Sequence, residues 1–234
     1  MRTEGRRSFL KTAGVAAVGA VTGVASAQGE ADMGGKPMEV AMAKTVAEGI
    51  MHEHSIIQRL MGVYEECAAR LDAGDEPPSG VIVNAGAVAD EFVENYHEAY
   101  EENHLYVPFQ KQGVATDAIA VMHRQHQVGR ALIGQMIFLA GEEELQADDR
   151  RKLANLCRAY PRMYRAHAAH EDTVLLPHDE VIGRSIGHGS LHGVMMAYRR
   201  QKLGGLDLEG VMDRVAELEE GLGIADLDHF TAEA

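Results

Sequence analysis

The sequence of 234 residues contains 12 histidines, and their spacing is the first feature that could support chemistry. Eight of them fall as one pair in each of four segments with helical periodicity, at positions 52/54, 97/104, 123/126 and 167/170. Burying an imidazole costs free energy unless both ring nitrogens find partners, and a metal ion is a partner that several histidines can share. The histidines on the four apolar stripes are therefore candidate metal ligands: His54, His97, His126 and His167.

Two glutamates extend this set. Glu101 follows His97 by four positions and Glu171 follows His167 by four, so each pair shares one face of a helix. Four imidazoles and two carboxylates exceed the four ligands of tetrahedral zinc, but they suit two six-coordinate ions bridged by both carboxylates. With one solvent-derived bridge, each ion would keep about one open position for a small exogenous ligand.

Helical periodicity predicts the elements that must carry these side chains. Apolar residues recur at spacings of three and four over residues 40–72, 81–105, 116–140 and 147–176, and no segment alternates strictly as an amphipathic strand does. Short connections favour antiparallel neighbours. The sequence thus predicts an all-α fold, with an antiparallel up-down-up-down four-helix bundle over residues 43–180.

The bundle is flanked by two further segments. Residues 28–42 contain glycine and proline and predict a linker. Residues 181–234 predict a C-terminal acidic helical extension, with helices over 191–201 and 206–222. The charges of the last helix are typical of a solvated face.

Four stretches of the sequence resemble the hemerythrin-like HHE cation-binding domain. They are Glu53-His54, residues 97–102 (HEAYEE), residues 125–130 (QHQVGR) and residues 167–177 (HAAHEDTVLLP), and the resemblance covers about residues 45–180. It implies a helical bundle that holds a non-haem di-iron centre, with two iron ions as the cofactor. Carried over residue by residue, it implies the same ligands that periodicity selects: His54, His97, Glu101, His126, His167 and Glu171.

The resemblance also bears on function, because one part of the pattern is missing. Classical hemerythrins bind O2 reversibly with an additional third-helix histidine in an HxxxH pair, whereas Met122 and Arg130 flank His126 here. Our first hypothesis is a di-iron protein that binds O2 or a related small ligand, or manages iron. The second is a di-iron oxidoreductase acting on peroxide or nitric oxide. The third is a structural bundle whose site is empty or filled by zinc, since imidazole and carboxylate also suit zinc and manganese.

Ferritin-like bundles are the nearest alternative fold with a di-metal site. Their pattern is Glu-x-x-His on two helices and a lone glutamate on each of the others. Glu94/His97 and Glu101/His104 satisfy that spacing in the second helix, but no such pair occurs in the fourth. The sequence therefore favours the hemerythrin-like pattern.

The first 27 residues predict an export signal. Arg6-Arg7 is followed by Ser-Phe-Leu-Lys, a short Gly/Ala/Val run and a small-residue cleavage site, Ala25-Ser26-Ala27, which resembles a twin-arginine signal. The apolar run is too short and too rich in glycine for a stable membrane helix, so we expect no anchor after cleavage and a periplasmic or extracellular location. The formal charge of −14 argues against nucleic acid or anionic lipid as a partner.

Several further residues have open assignments. Cys67 and Cys157 should lie towards the same end of the bundle if the first and fourth helices are antiparallel, and a disulfide between them is one hypothesis in an oxidising compartment. The alternative is a pair of partly buried thiols. Three histidines near the stripes, His104, His123 and His170, could be packing residues or could lie at the rim of the site.

Overall fold

The computed structural model describes residues 45–142, 144–179, 191–203 and 207–232. Over these residues every regular element is a helix and there is no strand, which confirms the all-α prediction. The predicted export signal, the linker up to residue 42 and the stretch 181–190 lie outside the described residues. None of the described helices is long and apolar enough to cross a membrane.

Four long helices carry the predicted site. Helix α1 is Val46–Ala73, α3 is Thr116–Ala140 and α4 is Ala147–His170. Helix α2 is continuous over residues 81–112 and alternates between α-helical and π-helical geometry along its length. Its four segments are α-helical Val81–Val88, π-helical Ala89–Glu98, π-helical Glu101–Leu105 and α-helical Tyr106–Gln112.

A third π-helical segment, Glu171–Leu175, continues α4 and leads into the 3-10 turn Leu176–His178. Each π turn contains one more residue than an α-helical turn, so it rotates the side chains that follow it about the helix axis. Such turns are frequent at functional sites. Here they fall on the segments that carry His97, Glu101 and Glu171.

The helix ends differ from the predicted ones at three places. Helix α1 begins at Val46, where Thr45 and Glu48 form a reciprocal capping box. Helix α2 does not end at 105 but runs to Gln112, with Pro108 inside its last α-helical segment, Tyr106–Gln112. Helix α4 stops being an α-helix at His170, where the π turn begins.

Ion pairs and hydrogen bonds set the register between the long helices. Arg165 of α4 pairs with Glu65 of α1, and Arg158 pairs with Asp72, so the two helices meet in opposite order along the chain. Helix α3 packs against both α2 and α4, and α1 also contacts α2. Gly86 of α2 allows a close approach of α3, since a Cβ there would lie 2.5 Å from Cγ1 of Ile137.

Two apolar clusters fill the interior, with the predicted ligands between them. On α1, His54 lies between Ile50 of one cluster and Ile57 of the other. On α3, His126 lies between Met122 and Ile133 in the same way. The core is therefore divided by one polar layer.

The C-terminal region adds two helices to this core. Helix α5, Leu191–Leu203, packs on the π-helical part of α2 and also contacts α1. Helix α6, Leu208–Leu222, packs on α1 and α2 through Val211, Val215 and Leu218. A short 3-10 turn, Leu227–Phe230, follows.

Cys67 and Cys157 are free thiols buried in the larger apolar cluster, so the structure does not contain the hypothesised disulfide. The spacing of the two cysteines from the histidines determines only their height along the helices. A disulfide also requires a narrow range of separations and directions of the two Cβ atoms, which helix register does not determine. Burial raises the pKa of the Cys67 thiol to about 12, so it stays protonated.

Candidate metal centre

The structure brings the six predicted side chains together in one layer of the bundle, although they come from four separate segments of the chain. All six are buried, with at most 3% of any residue exposed. Two groups within this layer have ligand atoms close enough to hold a cation. They are His54, His97 and Glu101, and Glu101, His126 and His167.

Glu101 is the member that the two groups share. Its Oε1 lies 3.0 Å from Nε2 of His97 and 3.9 Å from Nε2 of His54. Its Oε2 lies 3.4 Å from Nε2 of His126. One carboxylate thus presents one oxygen to each group.

Glu171 spans the same two groups from the opposite helix. Its Oε2 lies 3.4 Å from Nε2 of His54 and 3.6 Å from Nε2 of His167. The second carboxylate therefore also lies between a histidine of one group and a histidine of the other.

Each of the four histidines turns the same nitrogen inwards. Nε2 faces the two glutamates, while Nδ1 lies within hydrogen-bond distance of an oxygen acceptor outside the layer. Nδ1 therefore donates, and in a metal-bound ring this would fix the tautomer and leave the Nε2 lone pair directed at the centre. The pairs are His54 with Asp172 (2.7 Å), His97 with Glu53 (2.9 Å), His126 with Glu102 (2.8 Å) and His167 with Gln125 (3.1 Å).

The inner polar atoms of this layer lack ordinary partners. Nε2 of His54, Nε2 of His97, Oε1 of Glu101 and both carboxylate oxygens of Glu171 are buried without a hydrogen bond. Buried polar groups are expensive when unsatisfied, and this set consists of the nitrogen and oxygen donors that first-row transition metals bind. The residues present therefore fit bound metal.

The electrostatics of the layer favour positive charge. Burial opposes the imidazolium form, but hydrogen bonds with neighbouring carboxylates raise the pKa of His54 to about 9 and that of His126 to about 10. Burial alone would raise the pKa of Glu101, yet His97 and His126 hold it well below its usual range. Carboxylates that stabilise protons on these rings would stabilise cations in the same place.

Two tyrosines form part of the wall around the layer. The hydroxyl of Tyr106 donates to Oε2 of Glu101 at 3.3 Å, and its ring stacks on His126. The ring of Tyr164 stacks on His167, with centroids 5.8 Å apart, and meets His54 edge-on at 6.3 Å. These rings hold the imidazoles in place from the apolar side.

The three histidines with open assignments lie at different distances from the layer. His123 forms a partly exposed group with Glu102 and His126 at its rim. The ring of His104 packs on Tyr198, 5.1 Å between centroids, and His170 is exposed. Tyr64 and Tyr100, which sit on the helical stripes, are fully buried core residues.

Sequence reasoning missed the residues that hold the ligands. Glu53 and Asp172 each stand next to a predicted ligand in the sequence, and Gln125 stands next to His126, but none of them lies on the apolar stripe. A polar residue adjacent to a predicted ligand was the only local signal. Arg199, which contacts Glu53, had none.

Comparison with known proteins agrees with this geometry. The model of the hemerythrin HHE cation-binding domain matches residues 45–178. The chain is 31% identical to the uncharacterized protein Rv1995 of Mycobacterium tuberculosis (strain H37Rv) and 31% identical to the uncharacterized protein Mb2018 of Mycobacterium bovis, in each case covering 97% of this chain and 91% of the relative. No solved structure matches the chain significantly. Together, the family match and the buried His/Glu layer show that the chain belongs to the hemerythrin HHE cation-binding family.

Proposed function

We propose that the chain is a non-haem di-iron protein, with its two iron ions inside an antiparallel up-down-up-down four-helix bundle formed by α1 to α4. The observation that supports this most is the sharing of Glu101 between two histidine groups, one oxygen towards each. That is the arrangement of a carboxylate bridging two cations. A single tetrahedral ion would need only four ligands and would leave part of this buried set without a partner.

The proposed ligands follow from the same geometry. Two imidazoles would bind each ion, His54 and His97 on one side and His126 and His167 on the other, and Glu171 would form the second bridge. Zinc or manganese could bind the same nitrogen and oxygen donors, so the identity of the ions must be measured.

When bound, the iron ions would supply redox-active centres with open positions for a small ligand such as O2. The chain itself holds four imidazoles in one tautomer, places a phenolic hydroxyl on Glu101 and surrounds the layer with apolar side chains that exclude water. We propose that the protein binds O2 or a related ligand, or manages iron.

Metal analysis with a visible absorption spectrum tests this proposal on protein purified without added metal. We expect about two irons per chain and visible ligand-to-iron charge-transfer bands. Stoichiometric zinc with no visible absorption would contradict the di-iron proposal and favour the structural alternative.

A di-iron oxidoreductase acting on peroxide or nitric oxide is the second candidate. The buried Tyr106 hydroxyl, 3.3 Å from Oε2 of Glu101, favours it because reduction of either substrate by an external electron donor consumes protons at the site. Steady turnover of peroxide or nitric oxide would support this candidate, whereas one equivalent of bound ligand per site would support a binding protein.

We also propose that the protein is exported by the twin-arginine route and is periplasmic or extracellular in its mature form. The support is the sequence of residues 1–27. Fractionation of cells that produce the full chain, compared with an Arg6→Lys, Arg7→Lys variant, tests this. Retention of the variant with its leader attached is expected, and equal export of both would contradict the proposal.

A further inference from the structure

The C-terminal helix α5 reaches the metal centre through one side chain. Nη2 of Arg199 lies 2.6 Å from Oε1 of Glu53, and Nε of Arg199 lies 2.9 Å from the hydroxyl oxygen of Tyr96. Glu53 and Tyr96 are fully buried, and the Arg199 side chain is only 15% exposed. Arg199 lies outside residues 45–178, which the family model matches.

Glu53 connects this arginine to a proposed ligand. Its Oε1 accepts hydrogen bonds from Arg199 and from the Tyr96 hydroxyl, and its Oε2 accepts one from Nδ1 of His97 at 2.9 Å. A path of three directly contacting side chains therefore runs from Arg199 through Glu53 to His97. The two carboxylate oxygens therefore have different partners. Oε1 is fixed by Arg199 and Tyr96, and Oε2 orients the His97 imidazole.

The charge of Arg199 matters because Glu53 has no access to water. A buried carboxylate that loses its ion-pair partner is strongly unfavourable, so it rearranges towards any remaining donor. Arginine is suited to this position because its planar fork can donate to two acceptors in a fixed geometry, here Glu53 and Tyr96. Rearrangement of Glu53 would remove the acceptor at Nδ1 of His97, and this acceptor fixes the tautomer and the basicity of a ligating histidine.

We infer that Arg199 is a positioning residue of the metal centre, which holds His97 in its ligating tautomer through Glu53 and so makes α5 part of the metal site. This rests on the proposed function, because His97 is a ligand only if the layer binds metal. The inference assigns a role to the C-terminal extension beyond covering apolar surface.

The test compares full-length variants with one change each. Arg199→Gln removes both the positive charge and the guanidinium fork, whereas Arg199→Lys keeps the charge alone. Arg200→Gln is the matched control, since Arg200 is the next residue of the same helix and is exposed. Metal affinity is measured by competition of the loaded protein against a chelator. We expect Arg199→Gln to weaken affinity about 10–100-fold, Arg199→Lys to restore part of the loss and Arg200→Gln to match the wild type.

A second readout uses the metal-free protein with 15N-labelled histidine. The nitrogen chemical shifts of the His97 ring report which nitrogen carries the proton. We expect the shift of a protonated Nδ1 hydrogen-bonded to Glu53 in the wild type and in Arg200→Gln, and a changed Nδ1 shift in Arg199→Gln. Unchanged His97 shifts and unchanged affinity in Arg199→Gln would overturn the inference.

A packing role is separated from the positioning role by Met195→Ala. Met195 is fully buried in α5 and belongs to the apolar cluster there, so its truncation loosens the helix while leaving Arg199 in place. We expect a lower melting temperature with nearly unchanged metal affinity, and an affinity loss equal to that of Arg199→Gln would overturn the inference. If the wild type binds no metal, the proposed function fails, while the nitrogen shifts still test whether Arg199 controls His97.

Discussion

Nε2 of His126 lies 3.2 Å from Nε2 of His167, although Nδ1 of each ring already donates to an acceptor outside the layer. Two neutral rings in this tautomer would direct two lone pairs at each other. The contact is favourable only with a cation or a proton close to both nitrogens. This pair is therefore the most direct sign that positive charge belongs in the layer.

The first prediction concerns the ligands at this pair. His167→Ala and Glu171→Ala should each lower the iron content from about two ions per chain to about one or fewer, because each removes a donor for which no other side chain substitutes. Iron analysis of the purified variants checks this. His52→Ala is the control, since among the described residues His52 belongs to none of the groups that could hold a cation, and it should keep the wild-type content. Full iron content in Glu171→Ala would contradict the bridging role.

The second prediction concerns the outer partner of His54. Asp172 accepts from Nδ1 of His54 at 2.7 Å, and the neutral amide in Asp172→Asn would accept more weakly. We expect metal affinity to fall about tenfold, at the low end for such partners, with little change in fold. Chelator competition measures the affinity. Asp148→Asn changes an exposed acid at the start of α4 and should have no effect.

The third prediction is a pH dependence of the metal-free protein. The pKa values of His54 and His126 are raised from 6.5 to about 9 and about 10. Because the folded state binds these protons more tightly than the unfolded state, their contribution to stability is complete below pH 6.5 and is lost as the pH rises towards 10. The melting temperature of the metal-free protein should fall over this range. A flat or rising profile would show that these rings are not protonated in the folded state.

The site residues that the sequence could predict are those that lie on the helical apolar stripes. His54 and His126 lie on apolar stripes. Such a stripe identifies the buried face of a helix even when the neighbouring helices are not known. Glu53 was not predictable in this way, since the residue beside a stripe normally faces solvent or a neighbouring helix. Arg199 was less predictable still, because its contact with Glu53 spans 146 positions and depends on how α5 folds back.

The π-helical segments were also beyond sequence reasoning. Regular spacing of three and four assumes one winding throughout, and the stretch Ala89–Glu98 departs from it. The pair His97 and Glu101 nevertheless meets at 3.0 Å, so the predicted contact was right although the backbone between the two segments is irregular. A contact between residues four positions apart survives the switch from α-helical to π-helical geometry. The position at which a helix ends is shifted by that switch.

The fourth prediction concerns the thiols. Cys67 and Cys157 are free and buried, and burial keeps the pKa of the Cys67 thiol high, at about 12. Neither should react rapidly with a thiol reagent in the native protein, because the thiolate is the reactive form. After denaturation without reductant, two thiols per chain should react. If none reacts even then, the disulfide hypothesis would be correct for the isolated protein.

The fifth prediction uses two glycines to test helix packing. A Cβ at Gly86 would meet Ile137 at 2.5 Å, whereas nothing lies within 4 Å of a Cβ at Gly134. Gly86→Ala should therefore destabilise the protein by about 1–3 kcal/mol, through overpacking between α2 and α3. Gly134→Ala should stabilise it by about 0.5–1 kcal/mol, because alanine is the better helix former. Denaturant unfolding measures both, and equal effects would contradict the close approach.

The long sequence separation between Glu53 and Arg199 has a consequence for biosynthesis. Translation adds about 5–20 residues per second, so the 146 positions between them correspond to a delay of about 7–30 s. During that time the emerging chain can collapse around Glu53, but the guanidinium that holds this carboxylate has not yet been made. Assembly of a complete site must therefore wait until most of the polypeptide exists. Loading of the proposed metal centre would therefore be a late, post-translational event.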